Sequence, residues 1–232
     1  TKEYVIEGSV GTTINFTIQV TDNKNQVSSL VSIPVTVSVV PPKSIVDVEG
    51  VIEGKVTWTK DKIYRLKGYV RVGEESTFGN VNKVGELTIQ AGTVIIGDKL
   101  TKGTLIVQRG SKIIAIGTQT EPIIFTSAEG IGSRSPGDWG GVVLCGKAPN
   151  NLTGTVELEG GYRGFHGGTA ADDNSGTLKY VRIEYAGIPL NPNQEINTLT
   201  MGSVGSGTTI EYVMASYGLD DSFEWFGGTV NC

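Results

Sequence analysis

The sequence predicts an all-β protein whose larger part is a parallel β-helix. The first observation is an internal repeat, because residues 85–97 (GELTIQAGTVIIG) resemble residues 103–117 (GTLIVQRGSKIIAIG) and Leu87 corresponds to Leu105. The second is that glycine contributes 33 of the 232 residues, and no stretch has the apolar spacing of an ordinary α-helix. Alternating strands that repeat at a short period and are separated by glycine bends are typical of a solenoid.

Each half of the repeat consists of a short strand, a glycine bend and a second short strand. Because successive residues of a strand point to opposite faces, the pattern predicts that Ile95 and Ile113 face the core. Val94 and Lys112 then face water. We expect the two halves to stack on one another as successive coils, as a β-helix does to bury its core.

The N-terminal segment differs from the rest of the chain. Residues 11–20 and 31–40 alternate polar and apolar side chains with the period of a half-buried strand, and a polar turn, residues 21–25, lies between them. Strands of this kind resemble the last strands of an Ig-like or cadherin-like β-sandwich. A complete sandwich needs about seven strands, so we expect the module to be partial.

These patterns predict two domains. Residues 1–42 are the partial Ig-like module, which ends in the extended linker Pro41-Pro42, and residues 43–232 are the β-helix. We expect that Thr1 is not the biological start of the protein.

Two further stretches predict adjacent coils near the C-terminal end. Residues 179–185 (KYVRIEY) align with residues 211–217 (EYVMASY). The predicted inward positions are Val181, Ile183 and Tyr185 in the first stretch and Val213, Ala215 and Tyr217 in the second. Because an uncapped solenoid exposes strand edges and core, we expect either truncated ends or a second polypeptide that supplies the missing C-terminal coils.

Composition argues against two classes of function. With 19 basic and 24 acidic residues, the net charge is −5 and the pI is about 5.0, which is unlike a nucleic-acid-binding surface. No apolar run approaches the roughly 18 residues that a transmembrane helix needs. Cys145 and Cys232 match no metal-ligand spacing, and both free thiols and a disulfide between them stay open.

Several motifs occur in an order that resembles a known family. They are TWTKDKIY at 57–64, EPIIFTS at 121–127, GDWGG at 137–141, LKYVRIE at 178–184 and DDSFEWFGG at 220–228. The chain resembles, over residues 48–232, uncharacterised secreted proteins and lipoproteins of Gram-negative bacteria. The resemblance implies a right-handed parallel β-helix, Ig-like modules, a lipid-anchoring signal upstream of Thr1 and a secreted or outer-membrane location. It implies no catalytic residues.

The acidic cluster Asp220, Asp221 and Glu224 is the strongest candidate for chemistry. Several oxygen ligands could hold Ca²⁺, for which Asp220 and Asp221 are the candidates, and two carboxyls at a set separation could serve a glycosidase. Adjacent strand residues point to opposite faces, so both aspartates reach one ligand only in a bend, which Gly218 allows. Solvated loop acids that accept hydrogen bonds from turn amides are the other reading.

Aromatic residues beside these acids predict a carbohydrate surface. Rings stack on apolar sugar faces while polar neighbours bind the hydroxyls, which makes Trp139 and Trp225 candidates; burial in the core is the alternative. His166 is expected to be a surface-loop histidine, and Asp172-Asp173-Asn174 a polar turn.

These observations lead to two functional hypotheses. The first is a cell-surface or secreted structural or adhesive protein that binds polysaccharide, or a surface glycan, through loops near Trp139, Asp220, Asp221, Glu224 and Trp225. The alternative is a Ca²⁺-dependent polysaccharide lyase or glycoside hydrolase that uses the same acids.

Overall fold

The computed structural model describes residues 11–36, 42–152, 156–191 and 194–232. The chain divides into two compact units, residues 1–42 and 43–232. The described residues contain strands but no α-helix. The strands are β1 (Thr13–Ile18), β2 (Val31–Thr36), β3 (Ser44–Val48), β4 (Val51–Ile52), β5 (Gly54–Trp58), β6 (Lys62–Leu66), β7 (Tyr69–Val72), β8 (Glu74–Thr77), β9 (Asn80–Lys83), β10 (Gly85–Ile89), β11 (Val94–Gly97), β12 (Thr104–Val107), β13 (Lys112–Ile116), β14 (Ile123–Ser127), β15 (Gly141–Cys145), β16 (Val156–Glu157), β17 (Phe165–His166), β18 (Gly176–Glu184), β19 (Pro189–Asn191), β20 (Gln194–Glu195), β21 (Leu199–Gly202), β22 (Thr209–Ser216) and β23 (Phe223–Phe226).

The first unit contains an antiparallel hairpin of β1 and β2. Ile14 pairs with Val35 and Phe16 with Ile33, and the turn between the strands is held by backbone bonds to the Asp22 carboxylate. Both strands lie within the predicted alternating runs. Residues 1–10 and 37–41 lie outside the described part of the chain, and the Ig-like assignment of this unit stays a prediction.

The second unit is a parallel β-helix with three faces. The first face stacks β5, β10, β13 and the beginnings of β18 and β22, and the second stacks β3, β6, β11, β14 and the ends of β18 and β22. The third face is the parallel sheet of β4, β7, β12, β15, β21 and β23. Tyr180 and Tyr212 have φ of 50° and 54°, and this left-handed conformation turns β18 and β22 from the first face to the second. The prediction of an all-β fold with a parallel β-helix is confirmed.

The core consists of apolar ladders that run from coil to coil inside the three faces. On the third face, Leu105 pairs with Val142, which pairs with Leu199, and all three are fully buried. Stacking equivalent apolar positions removes both sides of each residue from water, so a short strand with only two inward residues still contributes to a continuous core.

The internal repeat does not relate successive coils. Leu87 of β10 stacks on Ile113, and Ile95 of β11 stacks on Phe125, whereas Leu105 lies on the third face of the same coil as Leu87. The predicted stacking of the two halves is therefore wrong. Every strand of a three-faced coil needs the same inward alternation and a bend after it, so neighbouring faces of one coil resemble each other. The inward position of Ile95 and Ile113 is correct, since both are fully buried.

The second predicted alignment is correct in register. Lys179 pairs with Glu211 and Val181 with Val213. Val181 and Ile183 are buried as predicted, but Tyr185 and Tyr217 are not inward. Both tyrosines have positive φ, 61° and 55°, which ends the strand alternation, and their rings stack 5.0 Å apart with Tyr217 64% exposed.

Candidate functional site

A groove of about 800 Å³ lies beside the third face, near its last strand. Its walls come from the segment after β15, from the hairpin of β16 and β17, and from the end of β23. The described residues that line it are Pro149, Asn150, Asn151, Leu152, Val156, Glu157, Leu158, Glu159, His166, Trp225, Phe226, Gly227 and Gly228.

The groove forms because the outer surface of the third face is apolar. The outward residues Ile106, Val143 and Cys145 are fully buried under the segment that carries Leu158 and Tyr162. On an ordinary solenoid face the outward positions would contact water. Here their apolar side chains hold a folded loop against the sheet, and this loop becomes one wall of the groove.

The end of β23, which forms the opposite wall of the groove, packs closely against the segment after β15. Gly228 N donates to Pro149 O at 2.9 Å. A Cβ at Gly227 would lie 2.5 Å from the Cβ of Asn150, and its φ of +72° also favours glycine. Side chains at this position would separate the two segments.

His166 is buried in the wall of the groove. It is 2% exposed, and its ring packs over Gly202, where an added Cβ would lie 2.8 Å from the imidazole Cγ. His166 Nδ1 contacts Ser203 Oγ at 2.9 Å, and Asn150 Nδ2 donates to the same oxygen at 3.1 Å. Burial, with a smaller contribution from the charge of Arg109, lowers the pKa of His166 to about 4. The expectation of a surface-loop histidine is wrong, because the glycine beneath the ring makes room for it.

A buried ion pair anchors the loop that carries His166. Arg109 and Glu75 have side-chain exposures of 8% and 0%, and Arg109 Nε donates to Glu75 Oε2 at 2.8 Å. Arg109 Nη1 donates to Gly167 O at 2.8 Å, and its guanidinium lies 4.0 Å from the ring centre of Phe78. Arg109 therefore links the hairpin of β8 and β9, which supplies Glu75 and Phe78, to the loop in the groove wall.

The predicted acidic cluster lies next to the groove. Glu224 points outward from β23, on the same side as Phe226, because alternate strand residues share a face. Burial, followed by the charges of Glu159, Asp221 and Asp220, raises the pKa of Glu224 to about 7, against an opposing hydrogen bond from Asn197 Nδ2. Three of these four acids are predicted from the sequence, and Glu159 is not. Glu159 alternates with the apolar Leu158, and this pattern, which marks an exposed position, could have indicated it.

Asp220 and Asp221 are exposed loop residues. The backbone of Asp221 donates to Asn197 Oδ1 at 2.9 Å, which fixes the bend before β23. Across the described ranges of the chain, no group of three or more His, Cys, Asp or Glu side chains is arranged to hold a metal ion. The hypothesis of a Ca²⁺ site at Asp220 and Asp221 therefore gains no further ligand from the structure.

The two candidate tryptophans have different environments. Trp139 is fully buried, stacks on Phe125 with a centroid distance of 6.5 Å and donates from Nε1 to Glu184 O at 2.8 Å. It belongs to the core and has no free ring face for a sugar, so its assignment to a ligand surface is wrong. Trp225 is 49% exposed and lines the groove. It continues the inward ladder of Met201 and contacts Phe223.

A comparison with protein-family models matches residues 50–232 to the pectate-lyase-like β-helix domain. The chain belongs to this family. No curated protein and no solved structure gives a significant match. No helix in the part of the chain that the structure describes is long and apolar enough to cross a membrane.

The other residues considered in the sequence of this pectate-lyase-like β-helix, the turn at Asp172-Asp173-Asn174 and the two cysteines, have structural environments. Asp173 Oδ2 accepts a hydrogen bond from Lys147 N and Asn174 Oδ1 accepts one from Gly176 N, both at 2.8 Å, so the prediction of a polar turn is confirmed. Cys145 is buried and Cys232 exposed, and both are free. Burial raises the pKa of Cys145 to about 12, which keeps it a neutral thiol in the third-face packing.

Proposed function

We propose that this β-helix is a polysaccharide-binding protein of structural or adhesive type, and that glycan chains lie in the groove beside Trp225. The single observation that carries the proposal is the combination, in one open groove, of a half-exposed tryptophan with amide and carboxylate side chains. Sugar rings present an apolar face and a rim of hydroxyls, so a binding site needs both features close together.

The groove offers partners for both parts of a sugar. Phe226, which points outward from β23, provides apolar contact area, and the half-exposed Trp225, on the other side of the strand, adds to it at the edge of the groove. Asn151, Glu157 and Glu159 provide amide and carboxylate groups that can donate to or accept from hydroxyls. Because these groups belong to segments that pack on the rigid coil stack, they are preorganised for a ligand. Preorganisation limits the conformational entropy lost on binding.

We further propose that the protein acts outside the cell, secreted or held at the outer surface of a Gram-negative bacterium by a lipid anchor upstream of Thr1. Its support is the family resemblance of the motifs between residues 57 and 228. Fractionation of cells that express the full-length protein would test this location, since recovery with the cytoplasmic fraction would contradict it.

Native electrophoresis through gels that contain different polysaccharides tests the binding function. We expect retarded migration in at least one gel and roughly 3- to 10-fold weaker binding for Trp225→Ala, the range that one lost aromatic contact gives. Tyr212→Ala is the matched control, because Tyr212 is 68% exposed and lies where β22 turns between the first and second faces. Unfolding curves of both variants separate lost binding from lost stability. Equal effects of the two variants would contradict a site at Trp225.

One observation favours a second function, a polysaccharide-degrading enzyme. A carboxyl whose pKa is about 7 is partly protonated at neutral pH and can act as a general acid, and Glu224 lies beside a second carboxylate, Glu159. Incubating the protein with each polysaccharide and measuring new reducing ends or unsaturated products tests this. An enzyme would lose turnover in Glu224→Gln while still binding, whereas the absence of products from every polymer would leave binding as the function.

A further inference from the structure

The charges around the groove restrict the kind of glycan that it can hold. Among the described lining residues, the titratable groups are Glu157, Glu159 and His166, and no lysine or arginine is included. The low pKa of His166 keeps it uncharged at neutral pH. The groove therefore presents negative charge, which Glu224, Asp220 and Asp221 extend beyond its edge.

Four cationic side chains lie near the groove, and none of them lines it. The guanidinium of Arg109 is buried against Glu75 and Gly167 O, and Arg71 Nη2 donates to Tyr162 O at 3.1 Å. Lys147 Nζ lies toward Gly110, where an added Cβ would be 2.8 Å from it. Arg163 is exposed, and its backbone N donates to Glu157 Oε1 at 2.8 Å.

A second observation, independent of the acids, points to a ligand in the groove. His166 Nε2 is buried and has no hydrogen-bond partner. The Ser203 hydroxyl already accepts from Asn150, so its proton is free to be donated to His166 Nδ1. In that tautomer Nε2 carries the hydrogen, and an unpaired buried donor is costly unless a ligand oxygen accepts from it.

We propose that the groove selects amino sugars that carry free ammonium groups and rejects polyuronates. The inference rests on the proposed polysaccharide-binding function and names its ligand class. An ammonium group placed at Glu159 would pair with a carboxylate that lines the groove and would be attracted by Glu224 beyond its edge, and a ring oxygen or hydroxyl of the same sugar would accept from His166. A chain of uronates would instead bring like charges together, which is unfavourable.

Calorimetric titration of the full chain with three matched oligosaccharides tests this selectivity. The probes are glucosamine, N-acetylglucosamine and galacturonate oligomers of equal length, at about pH 6 and low salt. We expect the glucosamine oligomer to bind at least about tenfold more tightly than the N-acetylated oligomer, in line with a charge-assisted hydrogen bond, and no binding of the galacturonate oligomer.

Two double variants separate a local site from the general attraction of an acidic protein for a cation. Glu159→Gln/Glu224→Gln removes both carboxyl groups at the groove, of which Glu224, with a pKa of about 7, ionises as the ammonium group binds. Glu49→Gln/Glu53→Gln removes two carboxyl groups from exposed positions 63% and 62% accessible, in the first turns of the solenoid. We expect about tenfold or greater loss of glucosamine affinity in the first and less than twofold in the second. Because Glu159 is exposed, the single variant Glu159→Gln serves if the double variant unfolds.

The outcomes distinguish this inference from the function on which it rests. Equal binding of the N-acetylated and glucosamine oligomers, with a loss in Trp225→Ala, would overturn the charge selectivity and keep polysaccharide binding. Binding of galacturonate, or equal losses in the two double variants, would also overturn the selectivity. Absence of binding to any oligomer or polysaccharide would overturn both proposals.

Discussion

Replacing Glu75 by Gln should destabilise the β-helix strongly, although Glu75 lies outside the apolar core. Its carboxylate is fully buried and accepts three hydrogen bonds. The donors are Arg109 Nε at 2.8 Å, Arg109 Nη2, and Gly79 N at 2.7 Å. Glutamine has one acceptor oxygen and places its NH₂ group against the arginine donors. The guanidinium of Arg109 would then be a buried charge without its counter-charge.

Breaking a buried pair by removing one partner costs about 3–5 kcal/mol. This is a large share of the roughly 5–15 kcal/mol that stabilises a typical domain. The exposed pair of Glu53 and Lys83, with a 3.5 Å separation, is the matched control, for which we expect a loss below about 1 kcal/mol in Glu53→Gln. The double variant Glu75→Met/Arg109→Met should recover most of the loss, because no charge then remains buried.

Urea unfolding followed by tryptophan fluorescence, to which the buried Trp58 and Trp139 contribute, measures these differences, with the slope of each curve checked for a change in cooperativity. The reasoning would be refuted if Glu75→Gln lost less than about 1 kcal/mol, or if the double variant were no more stable than Glu75→Gln. Because Arg109 also holds Gly167 O, we expect Glu75→Gln to weaken glycan binding in the groove, although Glu75 does not line it.

Three further predictions concern the groove wall. Because burial lowers the pKa of His166 to about 4, from near 6.5 in the unfolded state, the unfolded state binds more protons, and His166 contributes stability that is lost, by up to about 3 kcal/mol, as pH drops from 6.5 to 4. The pKa of Glu224 is raised from 4.5 to about 7, so Glu224 contributes stability that is lost as pH rises from 4.5 to 7, by a smaller amount because this carboxyl is only partly buried. The two contributions oppose each other between pH 4.5 and 6.5, so urea unfolding at stepped pH should show the His166 dependence in Glu224→Gln and the Glu224 dependence in His166→Gln. Gly202→Ala places a Cβ 2.8 Å from the His166 ring and should cost about 1–3 kcal/mol in the same assay, whereas Gly130→Ala, which meets nothing within 4 Å, should change stability by less than about 0.5 kcal/mol.

The sequence alone was sufficient to predict the kind of fold and many of its inward residues. Alternation decides which side of a strand is apolar, and this signal is local, so Ile95, Ile113, Val181 and Ile183 were placed inside correctly. The register of β18 on β22 also followed from direct similarity, because these strands occupy equivalent positions in adjacent coils.

The stacking of β10 and β11 could not be predicted in the same way. Strands on different faces of one coil obey the same alternation as strands on successive coils, so similarity alone does not distinguish them. The length of the segments between strands decides which residues meet vertically. Glu86 pairs with Lys112, not with a residue of the similar strand β12, because the coil must pass through all three faces first.

The candidate site, too, could be predicted from the sequence only in part. Sequence reasoning identified Glu224 and Trp225 beside the groove, since acids next to an aromatic residue are visible along the chain. It could not place Trp139, His166 or Glu159, whose environments are made by residues distant in sequence: Phe125 and Glu184 around Trp139, Gly202 beneath His166, and Glu224 beside Glu159.

By itself, therefore, the sequence determined which side of most strands is apolar and that the chain forms a parallel β-helix, but not that the alternation ends at Tyr185 and Tyr217. The tertiary structure alone decided which coils meet, that the apolar outer surface of the third face holds a folded loop, and that Glu224 lies next to the groove that Glu159 lines. The physical reason is that inside and outside are encoded within a few residues, whereas burial, desolvation and charge coupling depend on which distant segments the coils bring together.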